Sequence, residues 1–282
     1  MYLYLPARDH SRFVYRIMSL DRLFQMFSDS ANYLVRPRMW QDPFENFIAG
    51  LKGQLPSGEL VELAQRYDFF GQCWTFLGGT DAMWRIYSND ERSVRVKVRV
   101  DELYGSLSAT AKYAPFIGRV KYVHEADLLK WTARVVRSTR RPSLELLAKT
   151  FLVKRMAFFH ENEVRLLYCS SSDDRDRLHR HPFDCHRLIK ELMLDPRLTQ
   201  EEFLQLRDMV RVRTSFKGPI LQSKLYAPPT DFILRLGEAY AALPRTTERI
   251  FYDGDLRKSL QRTDVTPQLV LPGKLGAPKL LS

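Results

Sequence analysis

Cysteine is scarce in this sequence, and long apolar runs are missing from it. Three cysteines among 282 residues are few and odd in number, which excludes a disulfide scaffold and is typical of reduced thiols. No apolar run comes near the roughly 18 residues that a membrane-spanning helix needs. The first residues also lack the basic-then-apolar layout of an export signal. We therefore expect a cytoplasmic protein with no membrane segment.

The glycine-rich motifs of the common nucleotide-binding and hydrolase folds are missing as well. The sequence contains neither G-x-x-x-x-G-K followed by Ser or Thr nor G-x-G-x-x-G, and it has no G-x-S-x-G. Nucleotide kinases of the P-loop type, Rossmann dehydrogenases and α/β-hydrolases are therefore poor fits.

Basic residues outnumber acidic ones. There are 44 Lys and Arg against 33 Asp and Glu, which leaves a formal charge of +11. Such an excess favours phosphate-bearing partners such as nucleic acid or a dinucleotide, although it serves solubility equally well. A hydrophobic content of 45% excludes a disordered chain.

The spacing of apolar residues predicts an α+β fold with a mixed, mostly antiparallel sheet and flanking helices. Strands are expected at 13–17, 32–36, 69–76, 93–100, 117–123, 163–168 and 210–213, and helices at 20–27, 59–67, 81–87, 183–194 and 199–210. We predict a single domain over residues 1–226. Residues 227–282 are expected to form a helical patch and a Pro- and Leu-rich tail, which docks on the protein itself or on a protein partner.

The predicted strand at 93–100 has the clearest alternation in the chain. Four valines face one way, while Arg95, Lys97 and Arg99 face the other. We interpret these three residues as a basic outer face that binds nucleic acid; a face that only keeps the protein soluble has the same pattern.

The segment at 158–167 is the most informative one for chemistry. If it is extended, Glu161, Glu163 and Arg165 lie on one face. Two adjacent carboxylates raise the pKa of one of them, whereas the guanidinium lowers both. Such a set can orient a sugar hydroxyl or stabilise a developing cation. An exposed strand face whose charges pair for solubility remains the alternative.

Three further groups of residues are weaker candidates. Asp42 and Glu45 lie in a loop where both can also cap a short helix. Trp84 and Tyr87 can stack on a nicotinamide or adenine ring, or pack in the core. The histidines and the cysteine at 179–186 match no metal-ligand spacing, so no metal is expected.

Taken in order, several short motifs resemble the prokaryotic family called domain of unknown function 2971. They are Val14–Ser19, Tyr33–Leu34, Asp42–Glu45, Cys73–Thr75, Met83–Ser88, and the set Lys154, Phe158, Glu161, Glu163, Val164 and Arg165. The resemblance covers about residues 13–226 and implies no activity, because none is attached to that family.

A second, weaker resemblance is to ADP-ribosyltransferases, which have an arginine or histidine on an early strand and a late E-x-E on another. Arg16 and Glu161-Asn162-Glu163 are similar to these two features. The resemblance implies an NAD-using toxin or defence effector that acts on nucleic acid or protein. It implies the following roles: Glu163 catalytic with Glu161 assisting, and Tyr15, Arg16, Arg36, Trp84 and Tyr87 binding NAD.

Two other functions fit the same residues. The chain can be a non-catalytic component of a defence complex that binds nucleic acid or a protein partner. It can also be a metal-dependent nuclease whose site is formed by Asp42, Glu45, Lys154, Glu161 and Glu163.

Overall fold

The computed structural model describes residues 1–40, 42–45, 52–54, 56–62, 67–128, 130–131, 143–171 and 178–227. Residues Met1–Tyr226 form one compact unit. The predicted helical patch and tail lie outside the described residues from 228 onward, so the docking of the tail and the division of the chain stay predictions. No helix in the described ranges is long and apolar enough to cross a membrane.

The described strands and helices alternate along the chain. The strands are β1 (Tyr2–Leu3), β2 (Phe13–Met18), β3 (Ala31–Val35), β4 (Lys52–Gln54), β5 (Leu60–Glu62), β6 (Tyr67–Thr75), β7 (Val94–Arg99), β8 (Pro115–Arg119), β9 (Lys121–Val123), β10 (Val153–Arg155), β11 (Glu163–Ser171), β12 (Leu178–Pro182), β13 (Glu191–Leu194) and β14 (Ile220–Gln222). The helices are α1 (Leu20–Asp29), α2 (Asp81–Tyr87), α3 (Val100–Ser108), α4 (Leu144–Thr150), α5 (Cys185–Leu188) and α6 (Gln200–Thr214).

Ten strands form one sheet. Eight of them follow the order β1-β8-β11-β6-β2-β7-β13-β14, while β3 joins β6 and carries β12 at its other edge. The pairs β1–β8 and β13–β14 are parallel, and the other pairs of this sheet are antiparallel. The predicted α+β class with a mixed, mostly antiparallel sheet is therefore confirmed.

Helices cover both faces of the sheet, as the alternation of β11 illustrates. Val164 and Leu166 belong to a large core that includes apolar residues of α1, α3 and α6. Leu167 and Cys169, on the opposite face, pack into a second core with Ala148 of α4. Successive side chains of a strand point to opposite faces, so a strand buried on both sides is apolar at nearly every position.

The sheet divides at the end of β6. Strand β6 pairs with β11 over nine successive positions. On its other edge it meets β2 at Tyr15 and Thr75 and meets β3 at Val35 and Gly71. Because β2 and β6 are joined at one position near Thr75, they diverge from there, and a space opens between them.

Three predicted elements are wrong. The helix expected over 59–67 is replaced at Leu60–Glu62 by strand β5. The helix expected over 183–194 stops at Leu188, and Glu191–Leu194 form strand β13 between β7 and β14. The strand expected at 210–213 is instead the end of α6, where Val210 is buried and Val212 is exposed. In each case the local sequence suits either structure, and the pairing partners decide.

Candidate functional site

A cavity of about 120 Å³ opens where β2 and β6 diverge. Its lining residues come from β2, β6, α2 and the segment that enters β11: Tyr15, Arg16, Ile17, Cys73, Trp74, Thr75, Met83, Tyr87, Glu161 and Glu163. The structure thus brings together five of the predicted site residues, namely Tyr15, Arg16, Tyr87, Glu161 and Glu163.

A buried ionic cluster lies behind the two glutamates of the cavity. Lys154 donates from Nζ to Glu45 Oε1 at 2.8 Å and to Glu163 Oε1 at 3.4 Å, and it also donates to Glu161. Arg165 donates to Glu163 Oε2 from Nε at 2.8 Å and from Nη2 at 2.5 Å. Its Nη2 also lies 3.2 Å from Glu45 Oε1. None of these five side chains is exposed by more than 6%. This cluster comprises Glu45, Lys154, Glu161, Glu163 and Arg165.

The backbone around the two glutamates is held on both sides. Glu161 ends the 3-10 turn Met156–Glu161, and Asn162 then adopts a left-handed conformation with φ of 42°. The hydroxyl of Thr75 donates to the carbonyl of Glu161 at 2.6 Å. The N–H of Glu163 donates to the hydroxyl of Tyr122 at 2.8 Å. These two bonds fix the direction in which each carboxylate leaves the backbone.

The cluster contains three carboxylates and two cations, so it carries one negative charge in excess. Burial and the charge of Glu163 raise the pKa of Glu161 to about 7. Burial alone would raise the pKa of Glu163 too, but Arg165 and Lys154 outweigh it and lower that pKa. Near neutral pH, Glu163 is therefore ionised, while Glu161 can take up and release a proton.

Tyr87 completes the acidic side of the cavity. Its hydroxyl donates to Glu161 Oε1 at 3.3 Å. Burial and the charge of Glu161 raise the pKa of this phenol, so it stays protonated and remains a donor.

Arg16 occupies the opposite side of the cavity. It is half-buried, and no carboxylate among the described residues pairs with it. Burial lowers the pKa of its guanidinium, but the intrinsic pKa of arginine is high enough that the group stays charged. A half-buried guanidinium without an anionic partner favours the binding of an anion.

The predicted basic outer face of β7 is not a free surface. The strand itself is confirmed, but Arg95 is buried and lies 2.6 Å from Glu191. Lys97 shares the same carboxylate at 3.1 Å, and Arg99 pairs with Asp101 at 2.7 Å. The expectation of an exposed face is therefore wrong, and a role of these residues in binding nucleic acid stays a prediction.

Arg95 instead supports a wall of the cavity. Its guanidinium lies over the ring of Tyr15, 4.7 Å from the centroid. The ring is thus held between the cavity and a buried ion pair, which limits its rotation.

Comparison with known proteins gives one group of similar structures. No protein-family model matches this chain, and no curated protein sequence matches it. The chain is similar to DarT of Thermus sp. 2.9 in complex with NAD+, with 14% identity, a TM-score of 0.36 and coverage of 78% of this chain and 98% of that chain. The complex with carba-NAD+ has 15% identity, a TM-score of 0.34 and coverage of 76% and 96%. The complex with ADP-ribosylated ssDNA has 13% identity, a TM-score of 0.35 and coverage of 80% and 98%.

TM-scores this low carry no conclusion about the chemistry of this chain. With no matching family model, the resemblance to the domain of unknown function 2971 family stays a prediction.

Other predicted site residues lie outside the lining of the cavity. Trp84 is fully buried in the protein interior. Arg36 is also buried, and its guanidinium lies 4.8 Å from the centroid of Phe70. Asp42 pairs with Arg155 at 3.0 Å rather than with the cluster. The stacking of Trp84 on nicotinamide therefore finds no support in the geometry.

The residues of the expected nuclease site are neutralised by protein cations. Glu45, Glu161 and Glu163 all contact Lys154, and the described part of the chain has no group of three or more His, Cys, Asp or Glu side chains that could hold a metal. His179 and His181 pack as rings: the former stacks on Tyr168 with centroids 3.9 Å apart. Burial lowers the pKa of His181 to about 3.

Sequence reasoning missed three lining residues, Cys73, Thr75 and Met83. Thr75 and Met83 are uncharged and follow ordinary strand and helix patterns, so nothing in the sequence separates them from core residues. Burial raises the pKa of the Cys73 thiol to about 12, which keeps it protonated and excludes a thiolate nucleophile.

Proposed function

We propose that this chain is an NAD-using enzyme of the ADP-ribosyltransferase type, with the corresponding fold. It breaks the bond between nicotinamide and ribose and transfers ADP-ribose to nucleic acid or protein. The observation that carries the proposal is that one cavity has the unpaired cation Arg16 on one side and the acidic pair Glu161 and Glu163 on the other. NAD carries the complementary charges, an anionic pyrophosphate and a cationic nicotinamide ring.

The size of the cavity suits part of such a ligand. At about 120 Å³ it is smaller than the roughly 300–1,000 Å³ of pockets that enclose a whole drug-sized ligand. It would hold the nicotinamide riboside end between the rings of Tyr15 and Tyr87, while Arg16 would bind the pyrophosphate. The adenosine end would extend beyond it.

The two glutamates would have different tasks in the reaction. When the bond from ribose C1 to the ring nitrogen breaks, its electron pair leaves with neutral nicotinamide and positive charge develops on the ribose. Glu163, ionised and fixed by Arg165, would stabilise that charge. The acceptor oxygen or nitrogen then bonds to C1, and its proton passes to ionised Glu161, whose pKa of about 7 suits a general base.

The biological role that we propose is that of a toxin or defence effector in the cytoplasm, as the resemblance to ADP-ribosyltransferases implies. In that role the acceptor would be nucleic acid or protein of the same cell or of an invader. The excess charge of +11 is consistent with a polyanionic acceptor.

The test uses NAD labelled in its adenylate group, incubated with the protein and with single-stranded DNA, RNA or protein. We expect label on one acceptor class or release of ADP-ribose, and a loss of at least about 100-fold for Glu163→Gln, because its charge stabilises the transition state. Glu102→Gln is the matched control, since Glu102 pairs with Lys190 outside the cavity. No transfer and no hydrolysis by the folded wild-type protein would contradict the proposal.

A further inference from the structure

Glu45 is the third carboxylate of the buried cluster, and its position differs from that of the other two. It ends the short turn Pro43–Glu45, far in sequence from β10 and β11. Its Oε1 lies 2.8 Å from Lys154 Nζ and 3.2 Å from Arg165 Nη2. It is 7% exposed and does not line the cavity, so it cannot act on a ligand by contact.

The charges of the cluster show what Glu45 changes. Without it, the two cations Lys154 and Arg165 would balance the two carboxylates Glu161 and Glu163. With it, the cluster has a net charge of minus one in a place where water is excluded. A buried charge without a counter-charge is costly, so the cluster takes up a proton or binds a cation.

The proton would bind at Glu161, because the other carboxylates are held more tightly by the cations. Glu163 receives two hydrogen bonds from Arg165, whereas Glu161 faces the cavity and contacts Lys154 and Tyr87. The titratable and charged groups around Glu161, from every element packed there, are Tyr15, Arg16, Glu45, Cys73, Tyr87, Tyr122, Lys154, Glu163 and Arg165.

We propose that Glu45 sets the charge of the cavity: its carboxylate keeps one proton on Glu161 in the empty site, and a cationic ligand group takes the place of that proton on binding. The second half rests on the proposed function, since the cation would be the oxidised nicotinamide ring of NAD. Glu45 would thereby make the site prefer the oxidised dinucleotide to the reduced one, whose ring is neutral.

The first experiment needs no ligand. Carboxyl protonation is followed against pH in the full chain by infrared difference spectroscopy, and Glu161→Gln identifies the signal of Glu161. We expect Glu45→Gln to lower this midpoint by about one unit or more. Asp42→Asn, which removes a carboxylate from the same turn but outside the cluster, is expected to leave it unchanged. An unchanged midpoint in Glu45→Gln, or a signal that survives Glu161→Gln, would overturn the proposal.

The second experiment measures binding by calorimetry at pH 7 in two buffers of different ionisation enthalpy, with NAD+ and NADH as probes. For the wild-type protein we expect release of about half a proton with NAD+ and none with NADH, since a group whose pKa equals the pH is half protonated. In Glu45→Gln the release should vanish, and the preference for NAD+ should fall about tenfold. NAD+ binding with no proton release from the wild-type protein would overturn the exchange. Failure to bind either dinucleotide would instead contradict the proposed function, while the ligand-free titration still decides the role of Glu45.

Discussion

Arg165 lies wholly inside the protein and donates two hydrogen bonds to Glu163, the residue two positions before it on β11. Replacing Arg165 by Ala leaves a buried carboxylate short of its main counter-charge. We expect a loss of about 3–5 kcal/mol in the free energy of unfolding, as is typical when one partner of a buried pair is removed. Urea unfolding followed by circular dichroism measures it.

The control for this prediction is an exposed ion pair. Arg85 pairs with Asp81 at 2.9 Å on the surface of α2, where both side chains are more than half exposed. Arg85→Ala is expected to leave the urea midpoint close to that of the wild type. Equal losses in the two variants would show that burial of the Arg165 pair has no special weight.

The raised pKa of Glu161 makes stability depend on pH. Between its ordinary value of 4.5 and about 7, the folded state binds a proton that the unfolded state has lost. The free energy of unfolding therefore falls as the pH rises through this window, by at most about 1.4 kcal/mol per unit. Glu163, whose pKa is lowered, acts in the opposite sense, and only below its ordinary pKa.

Glu161→Gln tests this dependence, because glutamine cannot titrate. We expect the difference in free energy of unfolding between wild type and variant to shift steadily in favour of the variant from about pH 5 to pH 7. The histidines titrate in both proteins and cancel in the difference. A constant difference across this range would mean that Glu161 has an ordinary pKa.

Arg16 is expected to serve binding rather than stability. Since it has no anionic partner among the described residues, Arg16→Met should leave the free energy of unfolding unchanged or raise it slightly. The affinity for NAD should fall about 10- to 100-fold, the usual effect of losing a hydrogen-bonded charge. Calorimetry measures both proteins.

Arg22→Met is the matched control for Arg16→Met. Arg22 lies exposed on α1, and its charge acts on Arg16. Its loss removes the same formal charge from the same region without touching the cavity. If both variants lose affinity equally, the effect is one of overall charge and not of a bound anion.

Two glycines offer a test of packing around β8. A Cβ on Gly118 would lie 2.3 Å from Leu152 Cδ1 and 2.8 Å from the carbonyl oxygen of Leu3, and the latter cannot move without disturbing β1. Gly118→Ala should therefore lower the free energy of unfolding by about 1–3 kcal/mol. Gly105 in α3 has nothing within 4 Å of such a Cβ, so Gly105→Ala should raise it by about 0.5–1 kcal/mol. Thermal unfolding of both variants, with the same sign of change in each, would contradict this description of β8.

Local patterns were sufficient for much of the fold. Ser19 caps α1 and Thr199 with Glu202 forms the capping box of α6, both as the sequence predicts. Strand β13 could not be found in this way, because Leu192 and Leu194 alternate within a segment that also has high helix propensity. Its pairing with β7, nearly a hundred residues earlier, decides its structure.

The candidate site was predictable where its residues are neighbours in sequence. Glu161, Glu163 and Arg165 do lie together, as their spacing indicates. The part played by Glu45 was not predictable, because the turn that carries it meets β10 and β11 through contacts more than a hundred residues apart. Charge compensation between distant segments leaves no periodic signal in the sequence.

The left-handed conformation of Asn162 separates two properties that a regular strand would tie together. Glu161 and Glu163 belong to different elements, and the backbone angles of the residue between them set how far apart the two carboxylates lie. Asparagine adopts this conformation readily, whereas a β-branched residue does not. A substitution at Asn162 can therefore widen or narrow the acidic pair while leaving both acids, and their counter-charges, chemically intact.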